Sequence, residues 1–138
     1  MNWALVIAIV GLLTAVDAVI IWSIVRFGWG SLPRAFPAHD PLADAVSRKH
    51  QSFRINLLNF GFCINVAVDE RHLHLTPIKL LRVLGAKGSS IPWDSIRIEK
   101  RSIGGRWVTA KAGSHTIKGP AWCLELAEDW RTLKKVVR

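Results

Sequence analysis

The sequence has little cysteine and none of the short motifs that carry common enzyme chemistry. Cys63 and Cys123 are its two cysteines, and their wide separation gives no metal-binding spacing. The chain contains no P-loop, no G-x-S-x-G turn, no H-E-x-x-H motif and no Cys-x-x-Cys pair. No nucleophile is paired with a plausible base. We therefore expect no catalytic residues, no metal and no cofactor, and predict that the protein is not an enzyme.

Positive charge is missing from the first 25 residues. Residues 3–25 form an unbroken, mostly apolar run in which Asp17 is the one ionisable side chain. A helix of this length, at about 1.5 Å per residue, crosses the roughly 30 Å hydrocarbon core of a bilayer. The first basic residues after the run are Arg26, Arg34, Arg48 and Lys49. By the positive-inside rule, we expect a single-pass protein of the inner membrane with its carboxyl-terminal domain in the cytoplasm.

A cleaved signal peptide is the alternative interpretation of this run. The segment Val16-Asp17-Ala18 offers a small-residue cleavage site, but no basic segment precedes the run, which continues through Trp22. An uncleaved anchor is therefore favoured. In the cytoplasm Cys63 and Cys123 would be free thiols, whereas the reverse topology would allow a disulfide between them.

Small residues recur along one face of the predicted membrane helix, at steps of three and four. They are Ala4, Ala8, Gly11, Ala15 and Ala18. Small residues let membrane helices approach closely, so this face predicts a homodimer or a contact with another membrane protein. The alternative is that alanine and glycine are simply common in membrane spans. Asp17 lies off this face. We expect that its side chain is protonated, reaches toward the headgroups or contacts a second partner, as it would in a transporter or membrane-enzyme subunit.

The segment after the span is strongly basic. It carries all 19 Lys and Arg residues and nine of the ten acidic residues, for a net charge of about +10. A basic domain beside a membrane is attracted to anionic headgroups by about 1 kcal/mol per well-placed cation. The bilayer is therefore an expected partner. Nucleic acid is not expected, because the tethered domain already has an anionic surface within reach.

We divide the chain into a transmembrane helix at 1–26, a juxtamembrane linker at 27–50 and a folded domain at 51–138. Five residues are expected to break regular structure in the linker: Gly28, Gly30, Pro33, Pro37 and Pro41. The linker is expected to lie along the membrane surface or against the domain. Asp40 followed by Pro41 is typical of an N-cap and the first residue of a short helix.

Alternating apolar and polar residues predict about seven short strands in the domain. The strands are expected at residues 54–58, 63–68, 72–76, 90–101, 106–112, 115–118 and 122–126. Asn59–Gly61 is expected to be a turn, and Gly104-Gly105 predicts a hairpin. An apolar stripe at helical spacing predicts a final helix: Leu126, Trp130, Leu133 and Val137. Its last turn is basic, with Lys134, Lys135 and Arg138. The predicted fold is α+β, mainly β: a transmembrane helix, then a bent antiparallel barrel of about seven strands with a carboxyl-terminal helix.

Several short motifs resemble bacterial PH-like and GRAM-like domains of uncharacterised single-span membrane proteins. They are the strand Leu73-His74-Leu75, the segment Ser90-Ile91-Pro92-Trp93-Asp94-Ser95-Ile96, the upstream Gly28-Trp29-x-x-Leu32 with Phe36-Pro37, and the segment from Gly119-Pro120 to Leu126. The resemblance implies a PH-like barrel in a family that includes lipid-binding and protein-binding members. Where phosphoinositide-binding members carry cations, residues 58–62 contain none, which argues against specific phosphoinositide recognition.

The candidate binding residues cluster on one predicted hairpin. The cations are Arg97, Lys100, Arg101, Arg106 and Lys111. Such a hairpin can lie on anionic lipid or bind a partner, or it can be an ordinary solvated hairpin. Trp93 is either part of a binding groove or a core aromatic. His72 and His74 share a strand face, but no third metal ligand is evident, because His115 and Asp69 could approach only through folding. Both histidines are therefore expected to face solvent.

These observations predict a membrane-anchored PH-like interaction module. It would act as a scaffold or accessory subunit that binds an unidentified membrane or cytoplasmic protein. One alternative is a peripheral sensor of anionic lipid headgroups that uses the basic hairpin. Another is a transporter or membrane-enzyme subunit that uses Asp17.

Overall fold

A computed structural model describes residues 1–130 of the protein. Helix α1, Trp3–Ser23, begins at Asn2, whose side-chain oxygen accepts a hydrogen bond from the Leu5 N–H at 3.3 Å. No residue of α1 is buried. Helix α1 is long and apolar enough to cross a membrane, and no described part of the protein covers its apolar side chains.

The helical rod continues past the predicted end of the span. A π-helical segment, Ile24–Trp29, is followed by helix α2, Ser31–Ala35. The expectation of a break is therefore wrong for Gly28, Gly30 and Pro33, whereas Pro37 and Pro41 lie outside the helices and named strands. The Gly30 N–H bonds to the Val25 carbonyl at 3.0 Å, five residues back, and this wider turn brings the chain into α2. Pro33 is tolerated in the first turn of α2, where a missing N–H costs least.

The domain is a curled half-barrel of seven antiparallel strands. The strands are β1 Val46–Ile55, β2 Leu58–Val68, β3 His72–Pro77, β4 Ser89–Pro92, β5 Ile96–Arg101, β6 Trp107–Ala112 and β7 His115–Pro120. Their order in the sheet is β4-β3-β2-β1-β7-β6-β5. Helix α3, Lys79–Val83, lies between β3 and β4, and helix α4, Ala121–Leu124, follows β7. The predicted mainly-β α+β fold is confirmed.

The first hairpin turns earlier than predicted. Residues 59–61 lie inside β2, and the turn is at Asn56-Leu57. Asn56 adopts φ +54°, a left-handed conformation that asparagine tolerates better than most residues. Its N–H also donates to the Thr116 carbonyl at 2.7 Å, which fixes the turn against β7. Gly61 is part of a bulge rather than the turn, because the register shifts between Gln51 and Phe53.

Two further predicted elements differ in the structure. The helix expected after Asp40 is absent, and the Leu42 N–H instead donates to the Asp69 carboxylate. Just upstream, Pro37 bridges Ser89 on the edge strand β4. The strand expected at 122–126 is also wrong, because the chain turns into α4 directly after Pro120 and buries Cys123 there. Residues 126–130 are helical. The predicted positions of Leu133, Val137, Lys134, Lys135 and Arg138 lie outside the described residues.

The core lies inside the curl of the sheet and includes part of the helical rod. Strands β1, β2, β3 and β7 supply inward-facing aliphatic side chains, including Ile55, Ile64, Leu75 and Ile117. From the rod, Val25, Trp29 and Leu32 are buried in the same cluster. The rod therefore covers one open side of the half-barrel. Of the two positions expected for the linker, the one against the domain is observed for Trp29 and Leu32.

Candidate functional site

Trp29 fixes the rod to the domain. Its side chain is 1% exposed, and its indole N–H donates to the Lys87 carbonyl at 2.6 Å. Its ring meets Phe60 edge to face with a centroid separation of 5.4 Å. The preceding residue, Gly28, lies so close to Leu58 that an added Cβ would overlap the Leu58 side chain. The rod is therefore packed between β2 and the β3–β4 connection at the point where it leaves the domain.

The rod, the β1–β2 turn and the β3–β4 connection, which share one end of the sheet, carry apolar side chains that project into solvent. They are Phe27 at 73% exposure, Leu57 at 85%, Leu80 at 67% and Val83 at 76%. Phe27 is on the rod, Leu57 is in the β1–β2 turn, and the other two are on α3. We call these four residues the helix-exit face. Large apolar side chains grouped in this way mark interaction sites on protein surfaces.

A cavity of about 320 Å³ opens beside the helix-exit face. Its lining residues come from the rod and from the β3–β4 connection: Trp22, Val25, Arg26, Gly30, Pro33, Arg34, Leu84, Gly85 and Lys87. Three of these residues are cations and none is acidic. The Arg26 guanidinium lies over the Trp22 ring, 5.4 Å from its centroid. We call Arg26, Arg34 and Lys87 the cationic triad, and its arrangement suits a bound anion.

The tip of the predicted basic hairpin is at the other end of the sheet from the rod, whereas Arg97 and its register partner Lys111 lie near the turn that meets the rod. The β6–β7 turn contacts the rod, because His115 Nε2, directly after that turn, lies 3.1 Å from Ser31 Oγ of α2. Strand β6 runs from that turn back toward the β5–β6 turn, a distance of roughly 20 Å for six residues. The tip near Arg106 is therefore remote from the helix-exit face.

Two of the five hairpin cations are also paired with acids. Arg101 bonds to Glu125 at 3.3 Å and to Glu128, which connects β5 to the helical end of the described chain. Lys111 Nζ lies 3.9 Å from Glu99 on the neighbouring strand. Arg97, Lys100 and Arg106 are exposed. Pairing reduces the positive charge that the hairpin can offer to a ligand.

Trp93 is a core residue of the described structure. It is 2% exposed and its indole N–H donates to the Asp69 carbonyl at 2.8 Å. Trp107 on β6 is 39% exposed, so it is the more accessible of the two. Trp93 therefore holds the β2–β3 turn in place from inside the domain.

A second polar cluster lies around the β2–β3 turn. The His74 ring bridges Asp69 and Ser90, with 2.6 Å from Nε2 to the Asp69 carboxylate and 2.7 Å from Nδ1 to Ser90 Oγ. His74 is 3% exposed, so the expectation that it faces solvent is wrong. The segment that follows α2 covers it, since the His39 N–H donates to Ser90 Oγ at 2.8 Å. The sequence could not show this, because the covering residues are remote in the chain.

Asp69 is held as a carboxylate by four donors. It accepts hydrogen bonds from the backbone N–H groups of Arg71, His72 and Leu42, and contacts the His74 ring. Burial alone would raise the pKa of this carboxyl, but the hydrogen bonds outweigh that effect and hold it well below its usual range. Asp69 is therefore a fixed negative charge under the histidines.

His72 lies between two other imidazoles. Its ring centroid is 5.1 Å from that of His39 and 5.5 Å from that of His74. Burial and the two neighbouring rings lower the pKa of His72, so the neutral ring is favoured. Neutral imidazoles are metal ligands and proton acceptors.

The order Ser90–His74–Asp69 has the connectivity of a hydrolase triad, yet its surroundings do not suit nucleophilic attack. Ser90 is 2% exposed, and its hydroxyl also contacts the His39 backbone N–H and C=O. A substrate would have to displace this segment to reach Ser90 Oγ. We therefore interpret the cluster as a ligand-binding or structural site and not as one in which Ser90 acts as a nucleophile.

The membrane-helix candidates all lie on α1 and make no contact with the half-barrel among the described residues. Ala4, Ala8, Gly11, Ala15, Ala18 and Asp17 are exposed. Nothing lies within 4 Å of a Cβ built on Gly11. These positions are therefore available to lipid or to another helix.

Both cysteines are free thiols. Cys63 is half-buried on β2, and Cys123 is buried at the start of α4. Burial raises the pKa of the Cys123 thiol to about 12. The disulfide considered for the reverse topology is not formed.

The chain matches no protein-family model, and a search of curated proteins finds no significant match. No activity or ligand can therefore be carried over from a relative. The proposals that follow depend on the geometry and chemistry of the described residues.

Proposed function

We propose that the protein is a single-pass, membrane-anchored module whose helix-exit face lies on the cytoplasmic leaflet and whose cationic triad binds an anionic lipid headgroup. The observation that supports it most is the cavity of about 320 Å³, which combines Arg26, Arg34 and Lys87 with the end of the span. This proposal favours the lipid alternative of the sequence analysis, with the headgroup contact moved from the hairpin to the rod.

The length of α1 supports this position relative to the bilayer. Its 21 residues span about 31 Å, close to the thickness of the hydrocarbon core. If α1 fills the core, Trp22 and Arg26 reach the headgroup region, where Trp and Arg are commonly found. The rod packs into the domain at the end of the sheet that carries α3 and the β1–β2 turn, and we propose that these two elements lie at the level of the headgroups. Their exposed Leu57, Leu80 and Val83 would then enter the interface instead of facing water.

The cations give the proposed site an energy of useful size. At about 1 kcal/mol per well-placed cation, the triad supplies roughly 3 kcal/mol toward an anionic headgroup. That corresponds to roughly a hundredfold preference over a zwitterionic lipid. The value suits a contact that selects nearby lipids, because the anchor already fixes the domain at the bilayer.

A matched pair of charge variants tests the proposal. Full-length protein in detergent is mixed with equimolar phosphatidylcholine and phosphatidylglycerol, and the lipids retained are counted by native mass spectrometry. We expect the wild type to retain phosphatidylglycerol with at least tenfold preference. Changing the triad to Gln (R26Q, R34Q and K87Q together) should remove that preference.

The control carries the same charge change on the hairpin, as R97Q, K100Q and R106Q. It should keep the preference of the wild type, because none of those residues lines the cavity. Loss of the preference in the hairpin variant, or its retention in the triad variant, would overturn the proposal.

Binding of a partner protein is the second candidate function, and an aromatic groove favours it. A cavity of about 340 Å³ on the outer face of the sheet includes Phe62, Trp107, Arg54 and Lys118 in its lining. Phe62 is 74% exposed and adopts φ +57°, a strained conformation for a phenylalanine. Arg54 and Lys118 are register partners, so an acidic segment with an apolar side chain would fit. Phe62→Ala should abolish crosslinking of such a partner to a photoreactive residue at position 107 and leave lipid retention unchanged.

A further inference from the structure

We propose that Asp69, His72 and His74 form a binding site for a Zn²⁺-type transition-metal ion, with His39 as a fourth ligand. One ligand atom from each of the first three residues lies within 4.8 Å of the others. Imidazole and carboxylate are the ligands that Zn²⁺ uses alongside thiolate. The sequence analysis named Asp69 as a residue that only folding could bring near the two histidines, and the β2–β3 turn does so. His39, which the segment after α2 brings in, was not considered.

The spacing of the rings fits coordination to one ion. With a Zn–N distance of about 2.0 to 2.1 Å and tetrahedral geometry, two bound imidazoles have ring centroids roughly 5 Å apart. The observed separations are 5.1 Å for His39–His72 and 5.5 Å for His72–His74. The ligand atoms themselves must lie about 3.3 Å apart. His74 Nε2 and the Asp69 oxygen must therefore separate from their present 2.6 Å, while the other ligand atoms move closer together. Rotation of the half-buried His72 and the exposed His39 can supply the closer approach.

The surrounding hydrogen bonds can accommodate either a proton or a metal ion between His74 and Asp69. With a proton there, Nε2–H donates to Asp69 across 2.6 Å, and Ser90 Oγ–H donates to Nδ1. With a metal ion there, the Nε2 lone pair and the carboxylate bind the ion. Nδ1–H then donates to Ser90 Oγ, whose own hydrogen turns to the His39 carbonyl, 3.2 Å away. A metal-bound histidine normally has such a partner on its other nitrogen.

Two ligands are held in position before any ion binds. The side chains of Asp69 and His74 are 1% and 4% exposed. Asp69 is also held by the N–H groups of Arg71 and His72, at 2.8 Å each. Binding would connect the segment after α2 to strand β3 through His39. The bound ion would then be a second link between the end of the rod and the domain, in addition to Trp29.

The test is a calorimetric titration of tag-free, full-length protein in detergent with ZnCl₂. His72→Ala is the test variant, because the His72 ring contacts only the two neighbouring imidazoles among the described interactions. His50→Ala is the matched control, since His50 is an exposed histidine on β1, outside the cluster. Circular dichroism verifies that both variants are folded.

We expect one Zn²⁺ per wild-type chain with a dissociation constant in the micromolar range or tighter. His72→Ala should weaken binding at least tenfold, and His50→Ala should change it less than twofold. Absence of saturable binding to the wild type, or a loss smaller than tenfold in His72→Ala, would overturn the proposal. Lipid retention by His72→Ala should match the wild type, so this test is independent of the headgroup site.

Discussion

Trp29 and Lys87 are 58 positions apart in the chain and are joined by a hydrogen bond from the Trp29 indole N–H to the Lys87 carbonyl, 2.6 Å long. The bond connects the helical rod to the β3–β4 connection. It also places the Lys87 side chain at the cavity that Arg26 and Arg34 line. Packing and the candidate lipid site therefore depend on the same contact.

Removing the Trp29 side chain should destabilise the domain strongly. Trp29→Ala leaves a cavity in the core and an unpaired Lys87 carbonyl, and large-to-small changes of this kind cost about 3 to 5 kcal/mol. Urea unfolding of the full-length protein in detergent, followed by circular dichroism of the strands, measures the loss. Trp3→Ala is the control, because Trp3 is 68% exposed at the far end of α1. Equal unfolding midpoints for the two variants would show that the rod is not seated in the domain.

The π-helical segment should not tolerate a side chain at Gly30. A Cβ there would overlap the Arg26 carbonyl oxygen, so Gly30→Ala must displace backbone. Overpacking of this kind costs about 1 to 3 kcal/mol. Gly11→Ala is the matched control, because Gly11 is helical with open space around it, and alanine should leave stability unchanged or raise it. Unfolding of both variants measures the difference, and a neutral Gly30→Ala would contradict the observed helical path.

The two thiols should differ in reactivity. At pH 8, a thiol with a pKa of about 12 is thiolate in roughly one molecule in ten thousand, and the thiolate is the form that alkylates. Iodoacetamide should therefore modify half-buried Cys63 well before Cys123 in the native protein. Raising the pH toward 10 should increase the alkylation rate of Cys123 while the thiol stays buried, because each pH unit raises the fraction of thiolate tenfold. In denaturant both rates should become equal. Equal rates in the native protein, measured by peptide mass spectrometry, would place Cys123 at the surface.

The sheet was predictable because its signals are local. Alternation along residues such as Leu73 and Leu75, or Ile96 and Ile98, reports a strand face without reference to the rest of the chain. The Gly104-Gly105 turn was equally readable, and both glycines adopt positive φ. The Asn56-Leu57 turn was missed because its position depends on a bond to Thr116, which is remote in sequence.

The candidate sites were less predictable because remote segments build them. The cationic triad needs the helical path through Gly30, whereas glycine and proline locally favour a break. The environment of His74 needs the segment at His39 to cover an edge strand. Neither packing relationship is encoded in periodicity. The hairpin cations, by contrast, were easy to find as a cluster, yet none of them lines the cavity beside the rod.

The position of the helix-exit face relative to the bilayer is the claim on which the proposed function depends. Spin labels placed singly at position 83 and at position 103, in a Cys63→Ser, Cys123→Ala background, test it in reconstituted membranes. Val83 is 76% exposed on α3, and Ile103 is fully exposed at the hairpin tip, so both labels are tolerated sterically. We predict that the label at 83 collides with lipid-soluble oxygen and is shielded from a water-soluble nickel complex, while the label at 103 shows the opposite pattern. Equal exposure of both labels to the aqueous reagent would contradict the account.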